Sequence, residues 1–181
     1  VLINSAAAHP LITNKKKKYD NFTDYPFSDW KRSIDVNING MFLITKYVCK
    51  HFEKKNDGNI INIASTYGLV APDQRMYDKL NKIKTLYKPL EYSVSKNAVI
   101  GFTKSLAAYY QGTNIRVNSL SPGGIEQNQT NEFKKEYSKR TLTGRMSKPS
   151  DYDEALLFLC SKKNLYMTGS NLIIDGGWTA I

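Results

Sequence analysis

Four short apolar runs, each closing in small or polar residues, restrict the fold of this chain more than any other feature. They are Val1-Leu2-Ile3-Asn4, Asn59-Ile60-Ile61-Asn62-Ile63-Ala64, Ile115-Arg116-Val117-Asn118-Ser119-Leu120 and Asn171-Leu172-Ile173-Ile174-Asp175. Runs this short, rich in β-branched residues and bounded by turn residues, read as buried strands. The stretches between them carry a helical period. Ser28 is the expected N-cap of a first helix reaching about Lys54, with Asp29 in its first turn. Its apolar stripe is Trp30, Ile34, Met41, Ile44, Val48 and Phe52, and Asn37 falls on that stripe. A second helix is expected over about residues 91–111, with Gly112 at its C′ position. A third starts at Pro149-Ser150 and buries Ala155, Leu156, Phe158 and Leu159. Strand alternating with helix predicts an α/β chain, a three-layer parallel sheet with crossover helices. Ligands of such sheets bind at the carboxyl ends of the strands. Here those ends read Asn4-Ser5-Ala6, Ser65-Thr66, Ser121-Pro122-Gly123 and Asp175-Gly176-Gly177.

Several function classes drop out on other grounds. A length of 181 residues suits one domain with a real core. The net charge of +10 comes largely from loop lysines such as Lys15-Lys16-Lys17-Lys18, and no zinc-finger spacing or RNA-binding aromatic motif accompanies it. Nucleic acid is therefore not an expected partner. No apolar run approaches the ~18 residues of a membrane span. Cys49 and Cys160 lie in apolar segments far apart, which points to a reducing compartment and a cytoplasmic protein. His9 and His51 lack Cys or carboxylate partners at ligand spacing, so no metal site is expected. Ser65 is not in a Gly-x-Ser-x-Gly turn, which disfavours a hydrolase.

The chemistry-bearing motif is Tyr92-Ser93-Val94-Ser95-Lys96. Residues four apart share a helix face, so the spacing brings the Lys96 ammonium to the Tyr92 phenol. A neighbouring cation favours the phenolate and lowers the phenol's pKa, fitting Tyr92 for proton transfer. A polar residue on a buried stripe must be satisfied, which makes Asn37 either structural or functional.

Together these motifs resemble the short-chain dehydrogenase/reductase family over essentially the whole chain. Leu2 to Ala7 is similar to that family's Asn-Asn-Ala-Gly motif, with Ser5 and Ala7 departing from it. Asp35-Val36-Asn37-Ile38 resembles its helical Asn motif, and Gly58 to Ser65 the strand that delivers a catalytic serine. Residues 92–96 resemble its Tyr-x-x-x-Lys, residues 114–123 its Pro-Gly turn beside the nicotinamide, and residues 168–177 its last strand. The resemblance implies a Rossmann-like fold and an oxidoreductase using NAD or NADP. It makes Tyr92 the general acid or base, Ser65 the group that holds the substrate oxygen, and Lys96 the partner of both Tyr92 and the nicotinamide ribose. It gives Asn37 a proton-relay water. Asn4 and Ala6 would line the adenosine ribose, while Pro122, Gly123 and the backbone of Ile125 would meet the nicotinamide. The helices near Ser28 and Glu91 would pack between subunits, implying a homo-oligomeric dimer or tetramer.

Two departures shape the expectations. Ser65 and Tyr92 are 27 residues apart, about twice the family's usual interval. The extra segment, residues 69–90, reads as an insertion over the substrate pocket, with Thr66, Tyr67, Arg75, Tyr77 and Tyr87 as candidate substrate contacts. With Pro122-Gly123-Gly124-Ile125 and Asp175-Gly176-Gly177-Trp178, the insertion resembles a subgroup linked to bacterial surface-glycan or flagellin modification, which implies a sugar or nucleotide-sugar substrate. The eleven glycines form neither Gly-x-Gly-x-x-Gly nor a Walker motif. The chain is thus expected to be a single, incomplete domain over residues 1–181 whose first three strands, roughly 60 to 80 residues by βαβ arithmetic, are absent. The rival expectation is a catalytically incomplete remnant that acts as an oligomerisation or interaction module.

Overall fold

The computed structural model describes residues 1–8, 22–78 and 88–181. His9, the Lys15 to Lys18 run and Tyr87 lie outside the described residues. Four strands, β1 (Leu2–Asn4), β2 (Gly58–Ile63), β3 (Ile115–Pro122) and β4 (Asn171–Ile174), form one parallel sheet in the order β1-β2-β3-β4. Register is continuous: Ile3 sits opposite Ile61, Ile61 opposite Asn118, and Leu120 opposite Leu172. The helices are α1 (Phe27–Ile34), α2 (Met41–Lys55), α3 (Arg75–Asp78), α4 (Leu90–Tyr109), α5 (Asn131–Ser138) and α6 (Asp153–Cys160).

Alternation along β2 divides the core into two layers. Ile60 packs with Cys49, Val117, Tyr110, Phe52 and Leu106 under α2 and α4. Ile61 packs on the opposite face with Leu120, Tyr152 and Leu159 under α6. The three-layer α/β arrangement therefore stands. On the α2/α4 side a polar chain crosses the sheet. The Asn4 Nδ2 donates to Thr45 Oγ1 and Asn62 Oδ1, and Asn62 Nδ2 donates to Thr103 Oγ1, at 2.8–2.9 Å. Asn62 and Thr103 are wholly buried, so each donor needs its partner. Asn62→Ala removes one partner each from Asn4, which keeps Thr45, and from Thr103, which keeps the Val99 carbonyl, and is expected to lower stability by about 1–2 kcal/mol. The check is a lower urea midpoint at unchanged m-value.

The first predicted helix is not a single α-helix. Pro26, not Ser28, occupies the N-cap position, and residues Asp35–Gly40 widen into a π-helix. Burial falls on Ser33, Asn37, Met41, Thr45 and Cys49, one residue in four. An α-helix turns about 100° per residue, so four such steps would drift by roughly 160°. The wide π turn, closed by longer-range hydrogen bonds, takes up part of that drift. Ile44 lies one residue off this line and is exposed, contrary to the expected stripe. Phe158 is likewise exposed, because α6 turns Leu159 rather than Phe158 toward β2 and β3. Between β3 and α6 lies α5, where the sequence predicts no helix. Its N-cap Thr130 accepts a hydrogen bond from the Phe133 N–H.

Candidate active site

The carboxyl ends of β2 and β3 and the first turns of α4 converge on one edge. Ser65 leaves β2 in an extended conformation, and its Oγ accepts the Tyr67 N–H as the N-cap of a short 3-10 turn. Tyr92 comes from the first turn of α4 and hydrogen-bonds the Ser65 side chain. Lys96 follows one turn later. Its Nζ donates to the Ile63 carbonyl at 2.8 Å and lies 6.0 Å from the Tyr92 ring centroid. Ser65, Tyr92 and Lys96 are thus brought together as the sequence predicts.

The electrostatics correct one expectation. Burial raises the Tyr92 phenol above its ordinary value, and the Ser65 hydrogen bond only partly offsets this. The same burial lowers Lys96 to about 8. Desolvation disfavours both charged forms, so the apolar surroundings outweigh the expected cation effect in the resting protein.

Asn37 is placed by the π turn and is buried. Its Oδ1 accepts the Ala8 N–H at 2.6 Å, and its Nδ2 donates to the Ala8 carbonyl and, at 3.0 Å, to Ser95 Oγ. The side chain therefore ties the segment after β1 to the helix carrying Tyr92. Asn4 uses its amide within the sheet, as above, and Ala6 is exposed beyond the end of β1.

The Pro122–Ile125 turn is held on every side. Thr66 Oγ1 donates to the Pro122 carbonyl, and the Gly123 N–H donates to the Ile174 carbonyl. Tyr152 donates to the Gly123 carbonyl at 3.2 Å, and the Gly124 N–H donates to Tyr137 Oη at 2.5 Å. The Ile125 carbonyl accepts Gln129 Nε2. A Cβ on Gly123 would lie 3.0 Å from the Asp175 Cα, a tight approach that the backbone there would have to yield to accommodate. A cavity of about 250 Å³ lies beside the turn, bounded by Gly124, Thr141, Arg145, Tyr152 and Asp175.

The candidate substrate contacts divide. Tyr67 and Tyr77 are packed among aromatic residues, Tyr67 edge-on to Trp178 and Tyr77 beside Phe133. Thr66 is buried on the Pro122 carbonyl. Arg75 turns to Asp73 at 2.8 Å and is exposed to solvent. Asp73 also receives Arg140, and together the two guanidinium groups hold its carboxyl down at about 2. The described part of the insertion is therefore a docked segment that buries Met76 and Tyr77 against Tyr137, Met146 and Trp178. Sequence reasoning missed Tyr137, Tyr152 and Lys88. Among the described residues, no cluster of three His, Cys, Asp or Glu could hold a metal ion. Nor, among them, is any helix long and apolar enough to cross a membrane.

Residues 1–179 match a family model described as enoyl-(acyl carrier protein) reductase. A short-chain dehydrogenase from Leptospira borgpetersenii with bound NAD+ superposes over 98% of this chain at a TM-score of 0.84 and 36% identity. The chain belongs to the short-chain dehydrogenase/reductase family. A gluconate 5-dehydrogenase from Burkholderia cenocepacia in complex with NADP and tartrate superposes over 99% of it at a TM-score of 0.82 and 25% identity. Post-translational flagellin modification protein A of Campylobacter coli is 34% identical over 180 residues, 91% of this chain. The chain spans 69% of that relative's length and 64% of each of the two solved structures.

Proposed function

We propose that the complete protein is a NAD(P)-dependent oxidoreductase that interconverts an alcohol and a carbonyl. The observation that carries this reading is the contiguity of Ser65, Tyr92 and Lys96 at one sheet edge. In the reductive direction the Tyr92 phenol donates its proton to the substrate carbonyl oxygen, and in the oxidative direction its phenolate accepts the hydroxyl proton. The Ser65 hydroxyl donates a hydrogen bond to the same oxygen and offsets its developing charge. Lys96, cationic below about 8, stabilises the phenolate left behind.

The residues present fit a nicotinamide cofactor. Lys96 would hold its ribose, and the rigid turn from Pro122 to Ile125 would flank the nicotinamide. When bound, the cofactor supplies or accepts the hydride. Asn4 and Asn37 serve this site by holding β1 and Ala8 in place. Ala6 stands at the end of β1 where the adenosine side would run.

We extend this reading to a sugar or nucleotide-sugar substrate in bacterial surface-glycan synthesis; among the similar proteins one is named for flagellin modification and one for gluconate, a sugar acid. Thr66, Tyr67, Arg75 and Tyr77 are the substrate contacts assigned on this reading. A cytoplasmic enzyme fits the two free cysteines. A second copy of the chain is the expected partner of α2, whose Phe42, Leu43, Ile44 and Tyr47 are about half exposed or more. The test is a nicotinamide-coupled assay of the complete protein on polyols, sugars and sugar acids. Turnover that disappears in Tyr92→Phe supports the assignment, and turnover unchanged in that variant refutes it.

A further inference from the structure

The cation nearest the face of the Tyr92 ring is not Lys96 of the family motif. Lys88 Nζ lies 4.1 Å from the Tyr92 centroid, against 6.0 Å for Lys96. It also stands 5.9 Å from the Tyr67 ring. The two lysines are four residues before and four residues after Tyr92, but they arrive differently. Lys96 rides on α4. Lys88 precedes the helix N-cap, Pro89, and its side chain folds back over the ring.

That placement is built. The Gln74 carboxamide brackets the Lys88 backbone, accepting the Lys88 N–H at 3.0 Å and donating to the Lys88 carbonyl at 3.3 Å. Gln74 is fixed in turn by its neighbours. Asp73 is bound by Arg140 at 3.0 Å, and Met76 and Tyr77 are buried in the aromatic cluster. The described part of the insertion between Ser65 and Tyr92 therefore ends in a clamp on one lysine.

We propose that Lys88 is a second cation for the Tyr92 phenol, held in position by Gln74, and that this is one task of the insertion. A cation over an aromatic face is attracted by the ring's π electrons, and a phenolate ring is richer in them than a phenol. Lys88 thus favours the ionised form of Tyr92 from the face of the ring, while Lys96 acts from the helix. The charged and titratable groups around Tyr92 among the described residues are Lys88, Lys96, Tyr67 and Tyr77, with Glu91 beside Lys88. Burial lowers Lys88 to about 8, the Glu91 carboxylate opposes this, and Lys96 adds to it. Below about 8 Lys88 is cationic and its effect on Tyr92 is present. As pH rises through that value the effect is lost.

The functional consequence rests on Tyr92 being the proton-transfer group, but the electrostatic pairing can be measured without a substrate. The complete protein is labelled with 13C at the tyrosine Cζ, and the Tyr92 resonance is assigned by its loss in Tyr92→Phe. Lys88 loses its charge near pH 8, below the Tyr92 midpoint, so the titration needs a cation that keeps its charge there. Lys88→Arg is expected to lower the Tyr92 midpoint by about one pH unit relative to wild type. Adding Gln74→Leu to Lys88→Arg, which frees the backbone at position 88 and keeps the charge, is expected to shrink that fall. In turnover, Lys88→Met is expected to be about tenfold slower than wild type below about pH 8 and to match it above. A midpoint unchanged in Lys88→Arg, or equal turnover of Lys88→Met and wild type below about pH 8, overturns the proposal. Turnover retained in Tyr92→Phe would instead overturn the catalytic assignment and leave the pairing to be judged by the titration.

Discussion

Tyr92→Phe is expected to lower turnover of the complete protein by ~10²–10⁴-fold, the range that a positioned proton donor contributes. Phenylalanine keeps the ring over which Lys88 Nζ lies. What is lost is the proton and the hydrogen bond with Ser65. Cofactor affinity is expected to be unchanged, because Lys96 keeps its hydrogen bond to the Ile63 carbonyl. Rapid-kinetic measurement of nicotinamide oxidation beside a fluorescence titration of cofactor separates the two effects. A variant that lost cofactor affinity and chemistry in equal measure would place Tyr92 in binding rather than in proton transfer.

The second large effect is expected at Gly68. A Cβ there would lie 2.6 Å from the Lys96 carbonyl oxygen and 2.8 Å from its carbonyl carbon. Both are backbone atoms of α4, so no side chain can swing aside. Asn97 Nδ2 also holds the Gly68 carbonyl at 3.0 Å, which prevents the turn from backing away. Gly68→Ala is therefore expected to destabilise the fold by about 1–3 kcal/mol. It should also push Lys96 off its contact with Ile63 and so depress activity in whatever fraction stays folded. Gly101→Ala on the same helix is the control. A Cβ at Gly101 meets nothing within 4 Å, so the change should be neutral or stabilising by up to about 1 kcal/mol. Equal losses in thermal midpoint for the two variants would contradict this reading of the helix contact.

The parallel sheet was legible because short apolar strands alternate with helices along the chain; the order of the strands was not read from the sequence. Ser65, Tyr92 and Lys96 were legible because strand ends and helical spacing alone bring them to one edge. The path of Lys88 was not legible. Its spacing to Tyr92 mirrors that of Lys96, but it lies outside the helix, where four-residue spacing carries no directional meaning. Gln74, fourteen residues earlier, brackets its backbone. Tyr137 and Tyr152 escaped notice for a related reason. Both are amphipathic rings that read as core, and nothing local marks their hydroxyls as partners of the Gly123-Gly124 backbone. The exposure of Ile44 followed from a helix whose period changes partway, which a fixed 3.6-residue template cannot follow.

That change of period bears on which alterations the gene can tolerate. A π turn is an α-helix carrying one surplus residue, and the surplus here falls within Asp35–Gly40. Deleting a single residue in this stretch would restore ordinary helical winding and swing everything after it by about 100° about the axis. Thr45 would leave Asn4, and Cys49 would leave Ile60, while Asn37 still faced Ala8. The two ends of one rod would then be aimed at different targets. Substitutions can accumulate along Asp35–Gly40 wherever a side chain points outward, but insertions and deletions cannot, so descendants of this sequence should vary there in letters and not in length.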